Sequence, residues 1–137
     1  MRSVIYLALL GAFSMITPLP AQAETITFEH GADCRKNTDK GCTGDDVKCY
    51  NAPADRIIMR SSLKWANSVS GKNGSCGPTF SDMKSVGVTT TGGSKFSITE
   101  PSKLCIRAHI ESGSGYSNLG KGFNVKCKAT FDLEETD

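Results

Sequence analysis

The chain has 137 residues, a length typical of one domain, and its 16 Lys and Arg against 14 Asp and Glu give a formal net charge of +2. Hydrophobic residues make up 38% of the chain and charged residues 22%. These proportions exclude a bundle of membrane helices and a highly charged disordered polymer. The basic residues are mostly spread singly along the chain, so nucleic-acid binding, which needs a clustered basic surface, is not expected.

The N-terminal residues predict a secretory signal peptide over 1–23. Arg2 supplies a positive charge, residues 4–16 form an apolar run, and residues 21–23 (AQA) have the small-x-small pattern of a cleavage site. The apolar run is shorter than the roughly 20 residues that span a bilayer, so membrane insertion is not expected. We therefore expect cleavage near Ala23 and a periplasmic or extracellular mature protein.

Six cysteines follow the predicted signal peptide, and an even number of cysteines in an exported chain predicts disulfide bonds. Cys105 lies on the polar face of the alternating segment 103–111, whereas Cys127 shares the apolar face of 123–133. Two neighbouring strands of one sheet cannot be bridged from opposite faces, so we expect that Cys105 does not pair with Cys127. The other pairings stay open among Cys34, Cys42, Cys49, Cys76, Cys105 and Cys127.

Apolar and polar residues alternate along most of the region 24–137, which predicts one all-β domain ending in the acidic tail 132–137. Short strands with turns about every 10 residues are typical of an antiparallel β-sandwich, here of six to seven strands with Greek-key-like connections and disulfide bonds. The predicted strands are 24–30, 46–50, 55–65, 84–91, 94–100, 103–111 and 123–133, and the predicted loops include 31–46, 67–78 and 112–122. The expected core residues are Ile26, Phe28, Ile57, Met59, Val86, Val88, Phe96, Ile98, Leu104, Ile106, Ile110, Phe123, Val125 and Phe131.

Few residues are suited to catalysis at neutral pH. The two histidines are His30 and His109, and His109 shares a strand face with Glu111. His109 is either a general base oriented by the Glu111 carboxylate or part of a solvated polar face. We favour the polar face and expect no enzyme activity, because no nucleophile motif stands beside these residues. The sequence contains no C-x2-C pair and no glycine-rich phosphate loop, so neither structural zinc nor another cofactor is expected.

The segment 31–48 leaves calcium binding open. It is rich in the carboxylate and amide oxygens that Ca²⁺ prefers, but basic residues are interleaved with them and the spacing differs from D-x-[DN]-x-[DN]-G. Turn formation by Asp and Asn is the favoured interpretation. The oxygen-bearing residues are Asp33, Asn37, Asp39, Asp45 and Asp46.

Two predicted loops are candidate binding surfaces. The loop 112–122 holds Tyr116 and Leu119 among Gly and Ser, a composition common in recognition loops. The segment 64–79 contains Trp65, for which core packing is the favoured alternative. We therefore predict a binding protein whose partner is another protein or a surface glycan. The candidate contact residues are Ser112, Ser114, Tyr116, Leu119, Lys121 and Trp65.

Two stretches resemble known families of exported proteins. Residues 112–116 (SGSGY) resemble, with one additional residue, the S-G-x-Y motif that small periplasmic lysozyme inhibitors insert into the lysozyme active site. That resemblance implies inhibition of a cell-wall hydrolase by Ser112 and Tyr116. Residues 25–28 (TITF), followed by Cys34, resemble the mature N-terminus of chaperone–usher pilin subunits. That second resemblance implies a pilus-type structural subunit with an incomplete sandwich.

Overall fold

The computed structural model describes residues 23–70 and 73–136, so residues 1–22 of the predicted signal peptide lie outside the described part. The described part is 77% strand and has no helix, which confirms the predicted all-β fold. The described residues therefore contain no helix long and apolar enough to cross a membrane. The strands are β1 (Glu24–Arg35), β2 (Cys42–Asn51), β3 (Arg56–Ser70), β4 (Asn73–Thr89), β5 (Lys95–Ser112) and β6 (Gly122–Glu135).

The six strands form two antiparallel three-stranded sheets. Sheet A has the order β1-β6-β3, and sheet B has the order β2-β5-β4. Within the described chain, β4 and β5 are the one pair of consecutive strands that lie side by side in the same sheet. Every other connection leads from one sheet to the other, so the central strands β5 and β6 are joined by a crossing segment.

The core lies between the inward faces of the two central strands. Side chains alternate along a strand, so every second residue of β5 and β6 points to the same side. Burial of this apolar surface is worth about 25 cal/mol per Å² and is the main stabilising contribution. The inward residues, none more than 1% exposed, are Leu104, Ile106, Ala108 and Ile110 from β5 and Val125, Cys127, Ala129, Phe131 and Leu133 from β6.

Two segments predicted as loops are largely strand. The segment 67–78 completes β3 and begins β4, and 31–46 contains the end of β1 and the start of β2. The dipeptides Asn73-Gly74 and Gly77-Pro78 favour turns, yet both lie within β4. Proline is tolerated there because β4 is an edge strand of sheet B, where its missing N–H removes no ladder bond to a further strand. Pairing with β5 thus outweighs the local turn propensity.

The hairpin of β4 and β5 corrects one predicted core residue. Val86 pairs with Ile98 and Val88 with Phe96, so these four side chains share one face of the hairpin. Val86 is only 6% exposed, whereas Phe96, close to the turn, is 47% exposed. The prediction of Phe96 as a core residue is therefore wrong. Alternation identifies which face of a strand is apolar, but it does not show how much of that face is buried by the rest of the protein.

Three disulfide bonds connect the strands. Cys34–Cys42 and Cys76–Cys127 join sheet A to sheet B, and Cys49–Cys105 joins two neighbouring strands of sheet B. Cys105 is bonded to Cys49 on the outer face and Cys127 lies in the core, which confirms that they do not pair. Three disulfides indicate an oxidising compartment.

Candidate binding loop and the surfaces around it

The segment 113–121, here called the β5–β6 loop, carries the most exposed aromatic side chain of the described residues. Tyr116 is 79% exposed and Leu119 is 47% exposed. The loop leaves the central strand of sheet B at Ser112 and enters the central strand of sheet A at Gly122. It is therefore anchored at both ends in the best-packed strands of the protein.

The backbone of the β5–β6 loop is fastened to the connection between β1 and β2. The N–H of Gly115 donates to the carbonyl of Asp39 at 2.6 Å, and the N–H of Gly120 donates to the carbonyl of Lys36 at 2.6 Å. The N–H of Lys36 in turn donates to the carbonyl of Lys121 at 3.0 Å. The Cys34–Cys42 disulfide closes the segment that supplies these partners. The loop is thus held against a cross-linked platform.

Three loop residues have a left-handed backbone conformation. The φ angles are +112° at Gly115, +63° at Asn118 and +79° at Gly120. Glycine has no Cβ to clash at such angles, and asparagine tolerates them better than most residues. The Gly- and Ser-rich composition that predicted a recognition loop therefore has a second role, since it permits one tightly turned conformation.

Lys36 lies beneath the loop and was missed by sequence reasoning. It is only 2% exposed, and its Nζ donates to the carbonyl of Ser117 at 2.9 Å. The neighbouring Arg35 donates from Nε to the carbonyl of Gly120 at 3.0 Å. In the sequence Lys36 looks like an ordinary surface base between two polar residues, and lysine is almost never fully buried. No sequence signal distinguishes it.

A cavity of about 360 Å³ lies between this loop and the end of β5. Its walls combine one buried amine with hydroxyl, amide and carboxyl groups. Seven of the nine lining residues have polar side chains, and Phe123 is the one aromatic residue among the nine. The polar wall residues are Lys36, Asn73, Glu111, Ser112, Ser114, Ser117 and Asn118.

The structure brings most of the predicted contact residues together around the β5–β6 loop. Ser112 and Ser114 line the cavity, and the Ser112 Oγ accepts a hydrogen bond from the backbone N–H of Cys42 at 2.8 Å. Lys121 is exposed at the end of the loop. Trp65 lies apart from them, on β3 opposite Ala129, where it is half-buried against the hydrophobic core.

The outer face of sheet B carries a network of charged side chains. Arg107 donates from Nε to Asp45 Oδ1 at 2.9 Å, and a second guanidinium nitrogen contacts Asp45 Oδ2. Hydrogen bonding from Arg107 lowers the pKa of the Asp45 carboxyl to about 2. His109 lies between two carboxylates, with Nε2 at 2.8 Å from Glu111 Oε1 and Nδ1 at 3.4 Å from Asp45 Oδ2.

A shallow depression of about 340 Å³ adjoins this network and is lined by Ser75, Gly77, Arg107 and His109. Ser75 lies across from His109 in the register of β4 and β5. The His109 ring nitrogens nevertheless face the two carboxylates, and the hydrogen bonds of the described residues include none from Ser75 to His109. The arrangement is the Arg107–Asp45 ion pair with His109 beside it and a hydroxyl nearby, without the nucleophile–base contact that covalent catalysis uses.

The oxygen-bearing residues of 31–48 do not converge on one point. Asp45 faces Arg107 on the outer side of β2, whereas its neighbour Asp46 lies 3.4 Å from His30 Nε2 on the other side. Throughout 23–70 and 73–136, no group of three or more His, Cys, Asp or Glu side chains is arranged to hold a metal ion.

Comparison of the chain with family models, curated proteins and solved structures finds no match.

Proposed function

We propose that this chain is an exported, disulfide-stabilised protein that acts by binding another protein or a surface glycan through its β5–β6 loop. The observation that carries the proposal is the exposure of Tyr116 on a loop whose backbone is fixed from beneath. A single exposed aromatic residue on a freely moving loop would be weak support for a binding function. An aromatic residue on a pre-organised loop is the arrangement that recognition surfaces use.

A loop with a fixed backbone loses little conformational entropy when it binds a partner. An interface must order the loops that it buries, and this ordering subtracts from the binding free energy. In the β5–β6 loop the hydrogen bonds to Lys36 and Asp39 have already fixed the backbone before a partner arrives. A tyrosine side chain then offers about 150–250 Å² of surface with few rotatable bonds. Tyr116 is therefore the residue expected to contribute most to the affinity.

Export is supported by two separate observations. The three disulfides suit an oxidising compartment, and residues 1–23 have the sequence pattern of a signal peptide. We propose cleavage near Ala23 and a periplasmic or extracellular location for the mature protein.

Binding is proposed in preference to catalysis because of how the histidines are placed. Both ring nitrogens of His109 face carboxylates, and His30 faces the inside of the fold near Asp46. Neither histidine has a hydrogen bond to a hydroxyl group in the part of the chain that the structure describes.

A second candidate function is inhibition of a cell-wall hydrolase such as lysozyme. The exposure of Tyr116 favours it, since an inhibitory loop must present a side chain that can enter an active-site cleft. Ser112, the other residue of the resemblance, uses its hydroxyl to accept from Cys42, so Tyr116 would act without it. A pilus-type subunit is less well supported, because a donor strand needs an open groove and the central residues Leu104, Ile106 and Phe131 are 0% exposed.

The proposal is tested with oxidised mature protein as bait on glycan arrays and against secreted protein fractions, together with a lysozyme activity assay. Three forms are compared: the unmodified chain, Tyr116→Ala, and Phe96→Ala as a matched truncation of an exposed aromatic residue on the β4–β5 hairpin. We expect Tyr116→Ala to weaken a captured interaction at least about tenfold, which corresponds to about 1.4 kcal/mol, and Phe96→Ala to leave it unchanged. An interaction that survives Tyr116→Ala at full strength would contradict the proposal.

A further inference from the structure

Lys36 is a buried cation whose hydrogen-bonding capacity is only partly used. An ammonium group has three N–H donors, and one of them is donated to the carbonyl of Ser117. Among the described residues no ion pair includes Lys36, although it is 2% exposed. A charge removed from water is stabilised when an opposite charge joins it. The position of Lys36 therefore favours an anion in the cavity that it lines.

Lys36 and its neighbour Arg35 both hold the β5–β6 loop from beneath. The backbone of Lys36 is bonded to Gly120 and Lys121, and the Arg35 guanidinium is bonded to the carbonyl of Gly120. Of these basic side chains Lys36 alone belongs to the lining of the cavity, so it is the group that would attract an anion there.

Glu111 forms no ion pair with Lys36 in the described residues. It lines the same cavity, but its carboxylate oxygen Oε1 lies 2.8 Å from His109 Nε2, on the side of the charged network of sheet B. One oxygen of this carboxylate is therefore paired with the imidazole rather than with Lys36.

The remaining walls indicate what kind of molecule the anion belongs to. Ser112, Ser114, Ser117 and Asn118 offer hydroxyl and amide groups, which both donate and accept hydrogen bonds. A wall of this kind matches a ligand with several hydroxyl groups better than an apolar or purely anionic one. The volume of about 360 Å³ is near the lower limit for small-molecule sites and admits one sugar ring.

We propose that this cavity binds a sugar residue that carries a carboxylate, with the Lys36 ammonium as the partner of that carboxylate. The inference deepens the proposed function and rests on it, since it assigns a ligand class to the same loop. It selects an acidic surface glycan over a protein as the partner.

The test uses two probes that differ at one carbon. Glucuronate and glucose have the same ring and differ in a carboxylate against a hydroxymethyl group. Both are titrated into oxidised mature protein while backbone amide shifts are recorded. We expect glucuronate to shift the amides of residues 112–118 and to bind at least about tenfold more tightly than glucose. Equal binding of the two sugars, or shifts confined to other residues, would overturn the inference.

Two variants separate the role of Lys36 from general charge. Lys36→Met keeps the length of the side chain and removes the ammonium, and we expect it to lose the preference for glucuronate over glucose. Lys126→Met removes a base on the outer face of sheet A and should keep that preference. If Lys36→Met does not fold, the comparison of the two sugars on the unmodified chain still decides the outcome. Retention of glucuronate binding by folded Lys36→Met would overturn the inference.

A further arm distinguishes the two partner classes. A short peptide rich in Asp and Glu is titrated under the same conditions. Binding of the peptide without binding of glucuronate overturns the acidic-sugar inference, while the proposed binding function stands if Tyr116→Ala abolishes it. In another outcome, glucuronate binds at Lys36 while Tyr116→Ala leaves partner binding unchanged. That result would support the acidic-sugar site and contradict the proposed role of the β5–β6 loop.

Discussion

The ring of Tyr50 meets the ring of Phe131 edge to face, with the two centroids 5.3 Å apart. Tyr50 belongs to sheet B and Phe131 to sheet A, so this contact joins the sheets through their side chains. Phe28 extends the contact at a centroid distance of 5.9 Å from Tyr50. The same surroundings raise the pKa of the Tyr50 hydroxyl, chiefly because burial disfavours the phenolate. Through these three aromatic rings, each sheet contributes to the stability of the other.

Replacement of Phe131 by alanine should therefore destabilise the whole fold. Phe131 is 0% exposed, and removal of a buried phenylalanine ring costs about 3–5 kcal/mol through lost transfer energy and the cavity that remains. Phe96→Ala removes the same atoms from a side chain that is 47% exposed, and its cost should stay below about 1 kcal/mol. Chemical denaturation with intact disulfides measures both, and similar losses for the two variants would contradict the assigned core.

Two of the disulfides form a natural matched pair. Cys76–Cys127 and Cys49–Cys105 span sequence separations of 51 and 56 residues, so their effects on the entropy of the unfolded chain are nearly equal, at about 4 kcal/mol each. Cys127 is 1% exposed in the core, whereas Cys49 and Cys105 are half-buried. Replacing both cysteines of a bridge by alanine should thus cost about 1–2 kcal/mol more at the core bridge.

Thermal and denaturant unfolding of the two double variants provides the comparison. An equal loss of stability at both bridges would show that the core position adds nothing to the cross-link.

The ion pair of Asp45 and Arg107 predicts a pH dependence of stability. The pKa of Asp45 is about 2 in the folded protein and 3.8 as the ordinary value, so the ionised carboxylate stabilises the fold above about pH 4. This contribution is lost as the pH falls through 2. The difference in Tm between the unmodified chain and Asp45→Asn should be constant above pH 4 and should diminish between pH 4 and 2.

The control for this measurement is Arg107→Met, because Arg107 is the main cause of the lowered pKa. In an Arg107→Met background, Asp45→Asn should produce a much smaller pH-dependent change. The pair is at the surface, so the effect should also weaken at high ionic strength. A difference in Tm that is the same at pH 7 and pH 2 would contradict the assignment.

Two glycines in strands should respond in opposite ways to alanine. A Cβ added at Gly31 would lie 2.7 Å from the carbonyl oxygen of Val125, whereas a Cβ at Gly77 would have no heavy atom within 4 Å. Gly31→Ala should destabilise by about 1–3 kcal/mol because backbone must move to admit the methyl group. Gly77→Ala should be neutral or stabilising by up to about 1 kcal/mol through reduced freedom of the unfolded chain. Denaturant unfolding midpoints decide the order of the two variants.

Alternation along the strands was sufficient to predict much of the fold. It placed Leu104, Ile106 and Phe131 in the core, and it separated Cys105 from Cys127 by the face that each occupies. Alternation is a local property, so it survives without knowledge of the neighbours. Strand boundaries at Gly77-Pro78 were not predictable in the same way, because whether proline breaks a strand depends on its place at an edge or in the centre of a sheet.

In the candidate site, too, local features were predictable from the sequence and long-range contacts were not. Gly115, Gly120 and Tyr116 identified the loop, since glycine and an isolated aromatic residue are local signals. Lys36 could not be found, because its burial results from contact with Ser117, which is 81 residues away in sequence. A residue whose role is created by a distant segment leaves no periodic pattern of its own.

The position of β6 has a consequence for how the protein matures. This strand is the last of the described chain, yet it is the central strand of sheet A and pairs with β1 on one side and β3 on the other. Until it arrives, β1 and β3 have no common neighbour, and Cys76 has no partner for its bridge. Half of the molecule can therefore assemble only after β6 has been synthesised and has entered between β1 and β3.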